Sequence, residues 1–327
     1  MSEQSTRPLI VIGICTRQRN ALLRRLLESI WSQPEPADYD IDIVIIDNND
    51  TPHVTSVIDN LPQKFTITVF HESRAGLVHA RNRILDAATE WKADWIIGVD
   101  DDEWVAEDWL AQFIAGLEIL NAHVIVGTSH FIYEGLTPYL PPIQQVPLIA
   151  GRQSAVLSTA NFALHKTVFD PAHGPGLRFD MRFNESGGED YEFMLRAERA
   201  YDFPPIGWPF AITYEGWEGK RATLRYRMTR YQREQNARFQ VAALHRRQGL
   251  HGSWLGNLIR QVLQINRLLV FGVGYVLAGY LSFALGRPRA REKIGVGMLK
   301  LARVAAVAPY LWGTTLVGYG ANAPKDR

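Results

Sequence analysis

The chain has 327 residues, of which 46% are hydrophobic and 21% charged, enough for one large domain with an appendage. The single cysteine, Cys15, excludes an internal disulfide and fits a reducing compartment. The formal net charge is only +1, so the chain as a whole is neither strongly basic nor strongly acidic.

Four mainly apolar segments of strand length alternate with helical patterns in about the first hundred residues. They lie at residues 9–15, 41–46, 65–70 and 95–99. Near-continuous apolar runs are typical of strands buried on both faces. The alternation of strand and helix predicts an α/β fold with a mostly parallel, doubly wound sheet. Ligands of such sheets bind beyond the carboxyl ends of the strands.

Polar side chains follow each of the four predicted strands. They are Thr16 and Arg17, then Asp47, then Arg74, and finally Asp100, Asp101 and Asp102. Three adjacent carboxylates repel one another unless a cation neutralises them, and hard oxygen ligands suit Mg²⁺ or Mn²⁺. The alternative is a solvated acidic turn that caps a helix beginning near Glu103.

The loop after the first strand, Gly13-Ile14-Cys15-Thr16, has neither G-x-G-x-x-G spacing nor a Walker lysine. Dinucleotide-dependent redox chemistry and P-loop hydrolysis are therefore disfavoured. A diphosphate bound here would need a metal and arginines instead of a helix N-terminus.

Five short motifs occur in a characteristic order. They are Cys-Thr-Arg-x-Arg from Cys15, Ile-Ile-Asp-Asn from Ile45, Arg-Ala-Gly-Leu-x-x-Ala-Arg-Asn from Arg74, Val-Asp-Asp-Asp-Glu from Val99, and Gly-Gly-Glu-Asp from Gly187. Over residues 8–240 the chain thereby resembles the family 2 inverting glycosyltransferases of the GT-A fold. It looks particularly like bacterial exopolysaccharide glucosyltransferases of the succinoglycan type.

The resemblance implies a UDP-sugar donor and assigns roles in binding it. Thr16 and Arg17 would contact the nucleotide, Asp47 the uracil N–H and Arg74 the nucleotide. For Thr16 a helix N-cap and for Asp47 a turn-forming role stay open as alternatives. Asp102 would be the cation ligand, Asp100 would bind ribose or the cation, and Asp101 would support them.

The same resemblance places the reaction at Glu189 and Asp190. Asp190 would be the general base that deprotonates the acceptor hydroxyl, and one base suffices for a single inverting displacement. Glu189 would hold acceptor hydroxyls. The alternative is that both acids only favour the dipole of the helix that they begin.

The rear of the chain is basic and apolar. Residues 221–327 carry 18 Lys and Arg against three acids, so their net charge is +15 and that of residues 1–220 is −14. Uncharged stretches lie at 268–285 and 304–320. We expect a catalytic domain at 1–247 and a membrane-associating helical region at 248–327. A soluble helical appendage is the alternative.

Together these features predict a transferase at the cytoplasmic face of the bacterial inner membrane. The polar N-terminus predicts no secretory signal, and the acceptor would be a saccharide on a polyprenyl diphosphate. Alternatives are a nucleotidyltransferase and a catalytically inactive membrane scaffold of the same fold. Nucleic-acid binding is disfavoured, because the basic residues alternate with apolar runs and not with stacking aromatics.

Overall fold

The computed structural model describes residues 7–59, 64–143, 145–250 and 254–312. The strands are β1 (Leu9–Thr16), β2 (Asp40–Asp47), β3 (Thr66–His71), β4 (Trp95–Val99), β5 (Glu103–Val105), β6 (Val124–Tyr133), β7 (Asn161–His165) and β8 (Pro205–Trp217). The α-helices are α1 (Asn20–Trp31), α2 (Thr55–Ile58), α3 (Leu77–Glu90), α4 (Trp109–Ile119), α5 (Lys166–Phe169), α6 (Glu189–Tyr201), α7 (Leu224–Arg247), α8 (Trp254–Ala284), α9 (Ala290–Ala305) and α10 (Val307–Leu311). Short 3₁₀ turns lie at Met181–Phe183 and Gly219–Ala222.

The strands form one sheet in the order β3-β2-β1-β4-β7-β6-β8-β5. The four strands predicted from the apolar runs are β1 to β4, and they pair in parallel. Thr16 lies opposite Asp47, and Asp47 lies opposite His71. The polar ends of these strands therefore lie along one edge of the sheet, as predicted.

The other half of the sheet is mixed in direction. β7 runs antiparallel to both β4 and β6, and β5 runs antiparallel to β8. The prediction of a mostly parallel sheet therefore holds for β1 to β4 only. The helix expected to begin near Glu103 is also wrong: this residue begins β5, and α4 starts at Trp109. Pairing with Glu215, 112 residues later, decides this local structure.

The chain divides into two compact units. The first comprises Met1–His130, Val146–Asn184 and Glu189–Glu215, and the second comprises Phe131–Gln145, Glu185–Gly188 and Gly216–Arg327. The expected domain boundary at residue 247 stays a prediction. The division groups the helix α7 with α9 and α10, against which it packs.

The core of the first unit lies on both faces of the sheet. On one face, α1 buries Leu23, Leu26 and Leu27 completely against β1 and β2. On the other face, α3 and α6 pack against Val11, Val44 and Phe162. This two-sided burial explains why β1, and β2 from Ile43 to Ile46, are apolar in the sequence.

The second unit contains a hairpin of two long helices. Gly279 of α8 faces Ile294 of α9, and Gly272 faces Leu301, so the helices are antiparallel and closely packed. By length and composition, Ile259–Ala284 and Ala290–Leu311 could each cross a membrane, and only 17% of the apolar stretch in the first of them is buried. Of the apolar stretch predicted at 304–320, residues 313–320 lie outside the described part of the chain.

Candidate active site

Asp100, Asp101 and Asp102 follow β4 in a turn and differ sharply in exposure. Their side chains are 41%, 5% and 11% exposed, respectively. The backbone N–H of Glu103 donates to the carbonyl of Asp100, which closes the turn. Asp100 is therefore the carboxylate of this acidic turn that is most open to a ligand.

Arg19 neutralises the other two carboxylates. Its Nη1 lies 2.9 Å from Asp101 Oδ1 and 3.1 Å from Asp102 Oδ2. Thr16 Oγ1 donates to Asp101 Oδ2 at 2.8 Å. Burial raises the pKa of Asp101, and Arg19 opposes this rise. A single guanidinium and a hydroxyl thus hold two adjacent acids in place.

Arg19 had no assigned role from the sequence, although it ends the Cys-Thr-Arg-x-Arg motif. Arg17, the expected nucleotide contact, instead pairs with exposed Asp50 at 3.1 Å. The N-cap position of α1 is Arg19, so the alternative role of Thr16 as a helix cap is wrong. Thr16 lies at the end of β1 and bonds to the acidic turn instead.

Glu103 adds a further acid beside the turn. It is 1% exposed, and its Oε2 has no hydrogen-bond partner. Burial, with Asp100 and Glu215 nearby, raises the pKa of Glu103 well above its usual range. The sequence motif shows that a fourth acid follows the three aspartates. That this acid is buried is evident only from the structure, where Glu103 pairs with Glu215 in the sheet.

Asp47 is fully engaged in its own loop. Oδ1 accepts from Asn49 N and Nδ2, and Oδ2 accepts from the N–H groups of His53 and Val54 at 2.7 and 3.0 Å. Burial acts to raise the pKa of Asp47, but these hydrogen bonds outweigh it and lower the pKa. The geometry is that of the turn-forming alternative, and the uracil contact stays a prediction.

The Arg-Ala-Gly loop is tied to the end of β2 by Asn48. Its Nδ2 donates to the carbonyls of Glu72 and Arg74, and its Oδ1 accepts from Gly76 N. Gly76 has a φ of 130°, and a Cβ there would lie 2.0 Å from Asn184 Oδ1. Only glycine fits this position.

Arg74 lies at the surface of this loop. Its guanidinium is 2.7 Å from Glu72 and 68% exposed. The hydrogen bonds from Arg74 lower the pKa of Glu72 to about 2. The expected contact of Arg74 with a nucleotide stays a prediction, but the exposed side chain can reorient toward a ligand.

Arg81 joins the acidic turn to the Glu-Asp pair at the start of α6. This arginine is 8% exposed. Its Nη1 lies 2.5 Å from Glu189 Oε1 and its Nη2 lies 3.6 Å from Asp100 Oδ1. The sequence places Arg81 in a motif but does not show that it connects two sites more than eighty residues apart.

Glu189 and Asp190 occupy the first turn of α6 in different surroundings. Glu189 is 4% exposed, and burial raises its pKa, with Arg81 opposing and Asp190 reinforcing the rise. Asp190 is half-buried, and its Oδ1 accepts from the N–H of Tyr191 at 2.7 Å. The two acids of this turn thus differ: Glu189 is buried in an ion pair, and Asp190 is partly open to solvent.

The glycines before this pair allow a close approach of α7 within the second unit. Gly188 has a φ of 89°, and a Cβ there would lie 2.6 Å from Ala237 Cβ. A larger residue would push α7 away from the Gly187-Gly188 turn. The Gly-Gly-Glu-Asp motif therefore combines a packing requirement with two acids.

Comparison with known proteins identifies the family of the chain. Residues 11–180 match the family described as glycosyl transferase family 2. The chain is 27% identical over 208 residues to the succinoglycan biosynthesis protein ExoM of Rhizobium meliloti (strain 1021). That match covers 61% of this chain and 65% of the relative's length.

Two groups of solved structures share the fold. The mannosyltransferase PcManGT from Pyrobaculum calidifontis, in complex with GDP-Man and Mn²⁺, has a TM-score of 0.55 at 17% identity over 94% of this chain and 88% of its own. TarS of S. aureus in complex with UDP has a TM-score of 0.51 at 14% identity over 93% and 92%. The predicted GT-A fold is therefore confirmed.

The family match extends over more than half of the 327 residues and includes most of β1, all of β2 to β4 and the acidic turn. It decides between two of the predicted activities, in favour of glycosyl transfer and against nucleotidyl transfer. The chain belongs to glycosyl transferase family 2 and is a glycosyltransferase.

Proposed function

We propose that the chain transfers a hexose, with glucose as the first candidate, from a UDP-sugar to a saccharide acceptor and inverts the anomeric centre. The observation that carries this proposal is the pair of ionic contacts of Arg81. They connect Glu189, in the candidate acceptor site, with Asp100, in the candidate donor site. One side chain thereby contacts a residue of the proposed donor site and a residue of the proposed acceptor site.

Asp100 and Asp102 are the proposed ligands of Mg²⁺ or Mn²⁺. No group of three or more His, Cys, Asp or Glu that could hold a metal occurs among the described residues. A nucleotide-bound divalent cation needs only one or two carboxylates, because substrate phosphates complete its shell. The exposed carboxylate of Asp100 and the adjacent Asp102 fit that requirement, and the similar mannosyltransferase was solved with Mn²⁺. Such a cation would neutralise the diphosphate of the leaving group.

Asp190 is the proposed general base. Its carboxylate takes the proton of the acceptor hydroxyl while that oxygen forms a bond to the anomeric carbon. The bond from the anomeric carbon to the diphosphate oxygen breaks, and UDP leaves with the electron pair. One base and no protein nucleophile are required, so the product is inverted. Arg81 fixes Glu189, which is the proposed ligand of acceptor hydroxyls.

Residues at the ends of β1, β2 and β3 form the proposed nucleotide site. Thr16 acts through Asp101, whereas Arg17 and Arg74 are exposed enough to turn toward the donor phosphates or ribose. Asp47 can accept a uracil N–H only if one of its four loop contacts is released. We therefore rank Asp47 below the other three as a direct contact.

The acceptor is proposed to be a saccharide on a polyprenyl diphosphate, in the synthesis of a bacterial surface polysaccharide. The likeness to a succinoglycan biosynthesis protein supports the pathway class. The α8–α9 hairpin supports a membrane surface as the place of reaction, since α8 exposes a row of large apolar side chains. The cytoplasmic leaflet is the side at which a nucleotide-sugar donor would be available.

A donor screen tests this proposal. Purified protein with Mn²⁺ and a set of UDP- and GDP-sugars should release nucleotide from one UDP-sugar. Asp102→Ala should weaken donor binding by at least tenfold in calorimetry and remove turnover, because it deletes a cation ligand. The matched control Glu198→Gln, at the far end of α6, should leave both unchanged. Full turnover in Asp102→Ala would contradict the proposed donor site.

A further inference from the structure

Arg227 is a buried arginine in the first turns of α7 whose charge lacks a carboxylate partner among the described residues. The side chain is 1% exposed. Its Nη1 donates to the carbonyl of Pro141 at 2.5 Å, whereas Nε and Nη2 have no partner. An arginine remains charged in proteins, and a buried charge without a counter-ion is strongly unfavourable.

The groups around Arg227 do not supply the missing negative charge. Its guanidinium carbon lies 5.2 Å from the centre of the Trp217 ring, and that of Arg230 lies 5.3 Å from the same ring. Arg230 is itself paired with Glu234 at 2.9 Å. Burial lowers the pKa of Arg227, Tyr231 and Tyr133 oppose this, and Arg230 adds to it. Two cations and aromatic rings thus surround one buried site.

Two further buried groups of the second unit also lack hydrogen-bond partners, one on Trp217 beside Arg227 and one on the segment that leads to Pro141. Trp217 is 1% exposed and its indole Nε1 has no acceptor. Thr137 Oγ1 is buried and has no partner either. Thr137 begins a turn that is closed by the hydrogen bond from Leu140 N to the Thr137 carbonyl, and Pro141 follows directly after this turn. The unpartnered nitrogens of Arg227 and Trp217 are all donors, and a hydroxyl can also donate.

We propose that Arg227, Trp217 and Thr137 form an oxyanion site that binds the phosphate or diphosphate group of an organic phosphate. A tetrahedral oxyanion offers several acceptor oxygens and the negative charge that the guanidinium lacks. Water would satisfy the donors but not the charge. The site is made entirely by the second unit and does not depend on the transfer reaction proposed above.

The surroundings favour an organic phosphate over a free ion. Phe131, Tyr133 and Tyr226 make ring contacts with Trp217, so the site has an apolar wall beside its donors. Residues 137–142 form no helix or strand, and access requires that they move away from the guanidinium. The bond from Nη1 to the Pro141 carbonyl is the contact that an entering phosphate oxygen would replace.

Calorimetry with inorganic diphosphate in phosphate-free buffer with EDTA tests the site. EDTA removes divalent cations, so binding through Asp100 and Asp102 is not measured. Wild type should bind one diphosphate, and Arg227→Gln should bind at least tenfold more weakly. The control Arg225→Gln, an exposed arginine on the same helix, should change the affinity by less than twofold. Absence of wild-type binding, or equal binding by Arg227→Gln, would overturn the proposal.

A second variant keeps the test decisive if Arg227→Gln does not fold. Trp217→Phe keeps the ring and removes only the indole N–H, so we expect threefold to tenfold weaker binding with an unchanged circular dichroism spectrum. Unchanged affinity in this variant would contradict the part assigned to Trp217. Titrations with UDP and with farnesyl diphosphate then identify the source: tighter binding of the first indicates a nucleotide, and tighter binding of the second indicates a lipid carrier.

Discussion

The helices α1 and α8 use the same residue type in opposite ways. Leu23, Leu26 and Leu27 of α1 are completely buried, whereas Leu263, Leu277 and Leu281 of α8 are 62%, 64% and 63% exposed. Leaving a leucine in water instead of burying it costs about 1.5–3 kcal/mol. Apolar burial therefore stabilises the first unit, whereas the exposed leucines of α8 add little to stability in water.

The charged groups of the first unit and of α8 also differ in their surroundings. In the first unit, Arg19 and Arg81 each contact two carboxylates in partly or fully buried positions. On α8, the described charges are Arg260 and Arg267, both in its first half. Paired charges at strand ends suit chemistry on a polar substrate. An apolar helix whose basic residues all lie in its first half suits the surface of an anionic bilayer.

The largest expected effect is the loss of membrane binding when the exposed leucines of α8 are replaced. The triple variant Leu263→Asp, Leu277→Asp, Leu281→Asp should lose on the order of 5 kcal/mol of bilayer affinity, because three apolar contacts are removed. In flotation with vesicles containing anionic lipid, wild type should rise with the lipid and the variant should stay in the bottom fraction of the gradient. Co-flotation of both proteins would contradict a membrane role for this face.

The next effect concerns the buried ion pairs. Arg81→Met should lower the free energy of unfolding by about 3–5 kcal/mol, because it leaves Glu189 and Asp100 without their partner. Chemical denaturation followed by fluorescence measures this change. The control Arg83→Met removes a partly exposed pair with Glu90 on the same helix and should cost less than about 1 kcal/mol. Equal losses in the two variants would show that the buried contacts of Arg81 contribute no more to stability than a surface ion pair.

A pair of leucine truncations sharpens the comparison of α1 with α8. Leu27→Ala should lower the free energy of unfolding by about 2–5 kcal/mol, the range for a fully buried leucine. Leu277→Ala, measured without lipid, should change it by about 0.5 kcal/mol or less, since its side chain is already exposed. A large loss for Leu277→Ala in water would mean that α8 is covered by protein in solution.

The smallest effect is a pH dependence at His165, which ends β7. Burial, with His123 and Lys166 nearby, lowers the pKa of His165 to about 4 from a usual 6.5. Between these values the unfolded chain binds more protons, so stability falls as pH drops from 6.5 to 4. His165→Asn should remove about 1 kcal/mol of that loss. Identical pH profiles of the melting temperature for both proteins would exclude this contribution.

The parallel half of the fold could be predicted because its signal is local. The strands β1 and β4 are apolar runs buried almost throughout, and such a run predicts a strand without knowledge of its neighbours. The strand β5 was missed because Glu103 reads as a helix-starting acid, and only its pairing with Glu215 makes it a buried strand residue. Long-range pairing of this kind leaves no local pattern.

The candidate site was predictable in its residues but not in their contacts. The motifs gave the acidic turn and the Glu-Asp pair in the right places along the chain. They could not show that Arg19 holds two of the aspartates, or that Arg81 connects the turn to Glu189, because both contacts form only after folding. Asp47 shows the converse: a plausible ligand residue whose oxygens already accept four hydrogen bonds.

The most direct test of the central claim separates turnover from donor binding in Asp190→Asn. The amide keeps the shape of the side chain but cannot take the acceptor proton. We expect turnover to fall by about 10²–10⁴-fold, while the calorimetric affinity for the UDP-sugar with Mn²⁺ stays within about twofold of wild type. Turnover close to the wild-type rate in a folded Asp190→Asn protein would contradict Asp190 as the general base.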